Sequence, residues 1–283
     1  MKNYGDIPSE YAGYKEASVV VIPVPYDGTS TWGKGADKGP SALLEATANM
    51  ELFDIERWCE FYTCGIFTEK PVTNHSSPED MVYDVYKVTR KNLLEKKYCM
   101  VIGGEHSVSI GAIRAYQELY PGITVVQLDA HGDMRNEYEG SQNNHACVMA
   151  RAREKSPVVQ VGIRSICIEE TEVMDKNRVF FAHNITDSDD WMDKAISLMS
   201  ENVYLTIDLD VFDPSELPAT GTPEPGGMRW NQVIRFLEKL HKARNVVGSD
   251  VVELCPNDHS KPSEFLAAKL SYKLIGMKFF HNK

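Results

Sequence analysis

The chain has 283 residues, enough for one large α/β domain or two small ones, and its 42% hydrophobic and 25% charged content is that of an ordinary globular protein. A formal net charge of −11 without any basic cluster argues against nucleic acid and anionic membrane as partners, and suits a cationic ligand. No stretch approaches the ~18 apolar residues of a membrane span, the first residues lack the apolar core of a signal peptide, and the six cysteines form no C-x-x-C pair, so the chain reads as cytoplasmic with reduced thiols.

SVVVIPV, beginning at Ser18, is the first strand-like run. Ser77-Pro78-Glu79-Asp80 then gives a cap, a proline at the first helical position and acids in the first turn. Met81, Val82, Val85 and Tyr86 follow on one helical face. YCMVIGG near residue 98 is a strand that ends in Gly103-Gly104-Glu105-His106, and SVSIGAIRAY after it reads as a helix. Further strands are ITVVQLD near 123, PVVQVGI near 157, RVFFA near 178, NVYLTIDLDV near 202 and NVVGSDVVEL near 245. Before the last of them, Trp230, Val233, Ile234 and Leu237 mark an amphipathic helix. The alternation predicts an α/β fold of three layers, α/β/α, with a mostly parallel central sheet. With no repeat and no low-complexity linker, residues 1–283 read as one domain.

In open α/β sheets chemistry gathers at the carboxyl ends of strands. Ile123 to Asp129 reads as a buried strand, and in an extended chain every second side chain points to the same side. Asp129, His131 and Asp133 therefore converge on one point, with Gly132 relieving the turn. The two glycines before His106 let the backbone pass closely by whatever that ring faces. Asp208 and Asp210, also two apart, are expected on one face of an otherwise apolar strand, where carboxylates are costly unless paired or bound to metal. Two histidines and four aspartates suit a pair of divalent ions. Oxygen-rich ligation without thiolate points to Mn²⁺ rather than Zn²⁺ or copper. Two ions ~3.5–4 Å apart bring the pKa of bound water toward ~7, the chemistry of a hydrolase.

These motifs have a known counterpart. VPYDGTSTWGKGADKGP, GGEH, DAHGD, SQNNHACVMAR, TIDLDVFDP with TGTPEPGG close behind, and DVVELCP together resemble the ureohydrolases, the arginase and agmatinase family, over nearly the whole chain. The resemblance implies a three-layer fold and two Mn²⁺ per chain. One ion would be held by His106, Asp129, Asp133 and Asp208, and the other by His131, Asp129, Asp208 and Asp210. It also implies that Asp133 passes a proton to the leaving amine, that His145 shuttles protons, and that Glu253 pairs with a substrate guanidinium. A planar cation with forked donors is well held by such a carboxylate. Asp250 either supports a ligand or is a plain strand residue. The expected assembly is a homotrimer or homohexamer, and the products are urea and an amine.

Arginases read the amino-acid head of their substrate with an Arg-Asp-x-Asp element. Here the corresponding stretch, Arg164-Ser165-Ile166-Cys167, lacks those aspartates. Agmatine is therefore the expected substrate, and Glu137, Glu139, Glu169 or Glu170 could accept its far cation. Arginase or another guanidino-acid hydrolase is the alternative within the family. A catalytically silent metal-binding or assembly protein is the alternative of another class, disfavoured because it would need neither His145 nor Glu253.

Overall fold

The computed structural model describes residues 2–74, 76–185, 188–257 and 259–280. The strands are β1 (Val19–Val24), β2 (Phe53–Asp54), β3 (Cys59–Glu60), β4 (Ile66–Thr68), β5 (Tyr98–Gly103), β6 (Thr124–Leu128), β7 (Val158–Ile163), β8 (Val179–Phe181), β9 (Asn202–Asp208) and β10 (Asn245–Val252). The helices are α1 (Gly39–Thr47), α2 (Pro78–Leu94), α3 (Val108–Leu119), α4 (Val148–Ala152), α5 (Glu170–Val173), α6 (Asp190–Ser197), α7 (Trp230–Ala243) and α8 (Pro262–Phe279). Eight strands form one sheet in the order β4-β1-β5-β10-β9-β6-β7-β8, and every pairing within it is parallel.

Alternate residues of each strand feed opposite faces, as the period of two requires. Val19, Val21, Met100, Ile102, Leu205 and Ile207 pack with α1, α6, α7 and α8. Val20, Ile22, Val24, Cys99, Val101 and Tyr204 pack with α2, α3 and α4. The three-layer α/β/α architecture expected from the alternation is thus the observed one. The α2 start also matches its sequence signature: Ser77 Oγ accepts the Asp80 N–H at 3.1 Å, with Pro78 opening the helix.

Two features were not anticipated. The sheet gains an edge strand, β4, of three residues, and β2 pairs with β3 as a small antiparallel hairpin outside it. Runs this short carry no periodicity to read.

Register sets up the site. Val251 of β10 lies opposite Ile102 of β5 on one side and Ile207 of β9 on the other. Ile207 in turn faces Leu128 of β6. Four adjacent strands therefore end level with one another, immediately before Gly104, Asp129, Leu209 and Glu253.

Candidate metal centre and cleft

The turn after β5 depends on glycine, because a Cβ on Gly104 would lie 1.8 Å from the Tyr26 carbonyl oxygen. The chain then delivers His106, whose backbone N–H donates to Glu253 Oε1 at 2.7 Å. Its ring is oriented from behind. Nε2 donates to Thr206 Oγ1 at 2.8 Å, and the Thr206 hydroxyl donates to Asp250 Oδ1 at 2.6 Å. Asp250 also accepts the Tyr204 hydroxyl at 2.6 Å. With its proton on Nε2, the imidazole turns a bare Nδ1 forward, and that buried atom has no hydrogen-bond partner among the described residues. It lies 3.1 Å from Asp129 Oδ2, 2.8 Å from Asp133 Oδ2 and 3.4 Å from Asp208 Oδ2. A lone pair facing three carboxylate oxygens is a place for a cation, so the residues present fit a metal ion.

β6 ends one residue before Asp129, whose two oxygens are already engaged. Oδ1 accepts the His131 N–H at 2.6 Å, and Oδ2 accepts the Gln127 side-chain amide at 2.7 Å. Gln160 Nε2 holds both Gln127 Oε1, at 2.6 Å, and the Gly132 carbonyl, at 2.7 Å. The left-handed residue in this loop is Asp133 itself, at φ 52, and not Gly132 as the sequence suggested. Backbone N–H groups of Met149 and Ala150, at the start of α4, donate to the Asp133 carbonyl and hold it there. His131 Nδ1 is 2.8 Å from Asp210 Oδ2 and 3.6 Å from Asp129 Oδ1.

Asp208 and Asp210 do not share a strand face. β9 stops at Asp208, and Leu209–Val211 forms a 3₁₀ turn because Asp208 Oδ1 accepts the Asp210 N–H at 2.9 Å. The turn brings Asp210 inward, where its Oδ1 accepts the Ala130 N–H at 2.9 Å. Arg164 fixes the same turn from outside, donating through Nη2 to the Asp210 carbonyl at 2.6 Å and to the Glu224 carbonyl at 2.8 Å.

Two groups of ligand atoms result, His106–Asp129–Asp208 and Asp129–His131–Asp210, each with its atoms within 4.8 Å of one another. Asp129 belongs to both, Asp208 only to the first. Asp133 lies outside both and reaches the cluster through its contact with His106. Electrostatics agrees with the need for positive charge. Burial and then the neighbouring carboxylates push Asp133, Asp208 and Asp210 above the usual carboxylate range.

Above the cluster is a cleft of about 280 Å³ lined by His106, His131, Asp133, His145, Asp208 and Glu253 near its floor. Glu253 follows β10 in the left-handed region, at φ 65, and burial, then the Glu105 charge, push its carboxyl upward. His145 sits on a 3₁₀ turn capped by Asn144, and burial pulls its imidazole down to about 4. Among the four acids considered for a far cation, Glu170 lines the cleft. Its Oε1 and Oε2 accept the N–H groups of Met134, at 2.7 Å, and Cys167, at 2.8 Å. Glu137, Glu139 and Glu169 are exposed and not part of the cleft wall. Sequence reasoning missed Thr29, Glu105, Gln127, Gln160, Thr206 and Glu224, the last with Oε1 4.0 Å from His131 Nε2. Thr29, Gln160, Thr206 and Glu224 carry no short-range signal, since their partners lie far along the chain, whereas Gln127 and Glu105 bond Asp129 and Ser107 two positions on.

An all-parallel three-layer sheet with carboxylate–histidine clusters at its strand ends is the framework of a metal-dependent hydrolase. The family model described as "Arginase family" matches residues 17–276. A Synechocystis protein named N(1)-aminopropylagmatine ureohydrolase is 41% identical over 274 residues, covering 93% of this chain and 90% of that one. An agmatinase of Pyrococcus horikoshii is 33% identical, with 93% of each chain covered. The crystal structure of an agmatine ureohydrolase of Thermoplasma volcanium superimposes with a TM-score of 0.83 at 32% identity, covering 94% of this chain and 91% of that one. The chain belongs to the arginase family and is a hydrolase of its ureohydrolase type. Among the described residues, no helix is long and apolar enough to cross a membrane.

Proposed function

We propose that this protein hydrolyses the guanidino group of an agmatine-type amine to urea and the corresponding amine, using two Mn²⁺ ions per chain. The observation that carries the reading is the bare, buried Nδ1 of His106 facing Asp129, Asp133 and Asp208 on the floor of a cleft that also holds Glu253. His106, Asp129, Asp133 and Asp208 would hold one ion, and His131, Asp129, Asp208 and Asp210 the other. When bound, such a pair supplies a water acidic enough to attack at neutral pH.

The remaining steps belong to the chain's own groups. Glu253 accepts the forked N–H donors of the guanidinium and sets its carbon above the cluster. Asp133 takes a proton from the attacking water and hands it to the alkyl nitrogen as the C–N bond breaks, and His145 exchanges protons between cleft and solvent. Of the four acids considered for the substrate's far cation, we assign the role to Glu170, which lines the cleft.

Two substrates share this chemistry. Agmatine is the simpler, and its N1-aminopropyl derivative is favoured by the name of the Synechocystis relative. Arginine is disfavoured because the wall after Arg164 offers Cys167 and Ile166 in place of aspartates. Urea release by the Mn²⁺-loaded protein tests this across N1-aminopropylagmatine, agmatine, arginine and guanidinobutyrate. At least one of the two amines should exceed arginine in kcat/KM by at least ~10²-fold, because a carboxylate left unpaired in the cleft is costly. Equal efficiency with arginine would overturn the substrate assignment. Metal uptake without urea release from any of the four would favour a silent metal-binding protein. We further expect a homotrimer or homohexamer, to be read by light scattering.

A further inference from the structure

We propose that Thr29, backed by the buried carboxylate of Glu105, locks His145 in the tautomer with its proton on Nδ1 and leaves Nε2 as a bare acceptor. Thr29 is thereby a positioning residue for the proton exchange assigned above to His145, and its catalytic consequence rests on that reading. The tautomer itself does not.

The argument is one of donor inventory. A threonine hydroxyl has one proton and two lone pairs, and a carboxylate only accepts. Glu105 is fully buried, which pushes its carboxyl upward, and the Ser107 hydroxyl, the Ser107 N–H and the Thr29 hydroxyl that converge on it favour the ionised form. Its Oε2 accepts the Ser107 N–H at 2.8 Å, and its Oε1 accepts the Ser107 hydroxyl at 2.7 Å and the Thr29 hydroxyl at 3.0 Å. Thr29 has then given away its single proton. Its lone pairs face the His145 backbone N–H at 3.0 Å and the ring Nδ1 at 3.2 Å. With no proton left on Oγ1 for Nδ1, the contact is a hydrogen bond only when Nδ1 carries the hydrogen. Nε2 is then unprotonated in the neutral ring, and no hydrogen bond from the described residues engages it. The ring lines the same cleft as Asp133. A group that must lift protons from the cleft works through a free acceptor, and Nε2 is that acceptor. Thr29 also holds the ring's own backbone, so one hydroxyl fixes both position and tautomer.

Long-range ¹H–¹⁵N spectra of the metal-free protein labelled in histidine read the tautomer directly, with His145→Asn assigning the signal. The wild type should show His145 protonated at Nδ1. Thr29→Val, which keeps shape and removes the hydroxyl, should lose that pattern, and Thr29→Ser should retain it. In the Mn²⁺-loaded enzyme, Thr29→Val should lower kcat roughly 10–100-fold, by analogy with the cost of removing the partner behind a metal-ligating histidine. KM should change little, Thr29→Ser should recover most of the rate, and Thr29→Val should add nothing to His145→Asn. A wild-type ring protonated at Nε2 would overturn the proposal without recourse to any variant. So would equal impairment by Val and Ser, or additivity with His145→Asn. Urea release absent for every guanidino substrate, with the Nδ1–H spectrum intact, would overturn the hydrolase reading and uphold the Thr29 assignment.

Discussion

Replacing Arg164 with Met should destabilise the metal-free protein by ~3 kcal/mol. The guanidinium bridges two loops through main-chain acceptors. Nη2 reaches the Asp210 carbonyl at 2.6 Å and that of Glu224 at 2.8 Å, Nε reaches Pro225 at 3.2 Å, and Nη1 reaches Gly162 at 3.2 Å. Hydrogen bonds from a charged donor contribute ~1.5–3 kcal/mol each. Taking three at the lower end gives about 4.5 kcal/mol, and water reaching the vacated carbonyls of a half-buried site trims the loss to ~3 kcal/mol. Met fills a similar length without a donor. Lys keeps the charge on a single nitrogen that cannot span both loops, so Arg164→Lys should lose roughly half as much. Urea unfolding of the three proteins at one fixed concentration gives the free energies from midpoint and slope. Because the Asp210 carbonyl is among the acceptors, Mn²⁺ affinity should fall in the same order. A loss under ~1 kcal/mol for Arg164→Met, or a Lys variant indistinguishable from wild type, would show that the loops hold themselves in place.

Asp208→Ala should reduce bound Mn²⁺, measured by elemental analysis after dialysis, from two ions per chain to nearly none; full retention would remove Asp208 from the ligand set. His145→Asn should keep its metal and lower kcat by ~10²–10⁴-fold, and a collapse of metal content instead would make His145 a ligand. Asp54, the second residue of β2, gives a pH dependence of known sign. Burial alone would raise its carboxyl, but Lys273 Nζ at 2.7 Å and the backbone N–H groups of Arg57 and Glu56 hold it below the ordinary value. A depressed folded-state pKa stabilises above the unfolded value of ~3.9 and ceases to do so as pH falls through the folded one. Asp54→Asn should therefore weaken urea resistance at pH ~7, with the gap to wild type closing below pH ~4; a constant gap would remove the charge from the account.

Much of the fold was legible because buried parallel strands are apolar, β-branched and bounded by glycine or charge, as YCMVIGG and ITVVQLD are. The six candidate metal-binding side chains were legible for a related reason: carboxylate and imidazole at the end of such a run have few other uses. Backbone detail was not. Asp208 and Asp210 are two apart and were placed on one strand face, but the Asp208 carboxylate caps the next amide and curls the chain. Gly132 looked like the residue that turns the loop, whereas Asp133 takes the left-handed conformation and is held there from α4. Thr29, Thr206 and Arg164 are unreadable from sequence, since their roles depend on partners dozens of residues away. A hydroxyl or a guanidinium in a loop has no pattern of its own.

The last strand among the described residues, β10, lies in the middle of the sheet, between β5 and β9. A nascent chain that has not yet emitted Asn245 therefore holds two incomplete half-sheets, β4-β1-β5 and β9-β6-β7-β8, each with an unpaired edge that its native neighbour will cover only later. His106 sits on one half, and the four aspartates and His131 on the other. β10 joins the two halves and carries Glu253 to their junction. During synthesis, the period between completion of β9 and arrival of β10 leaves both central edges open to misassembly.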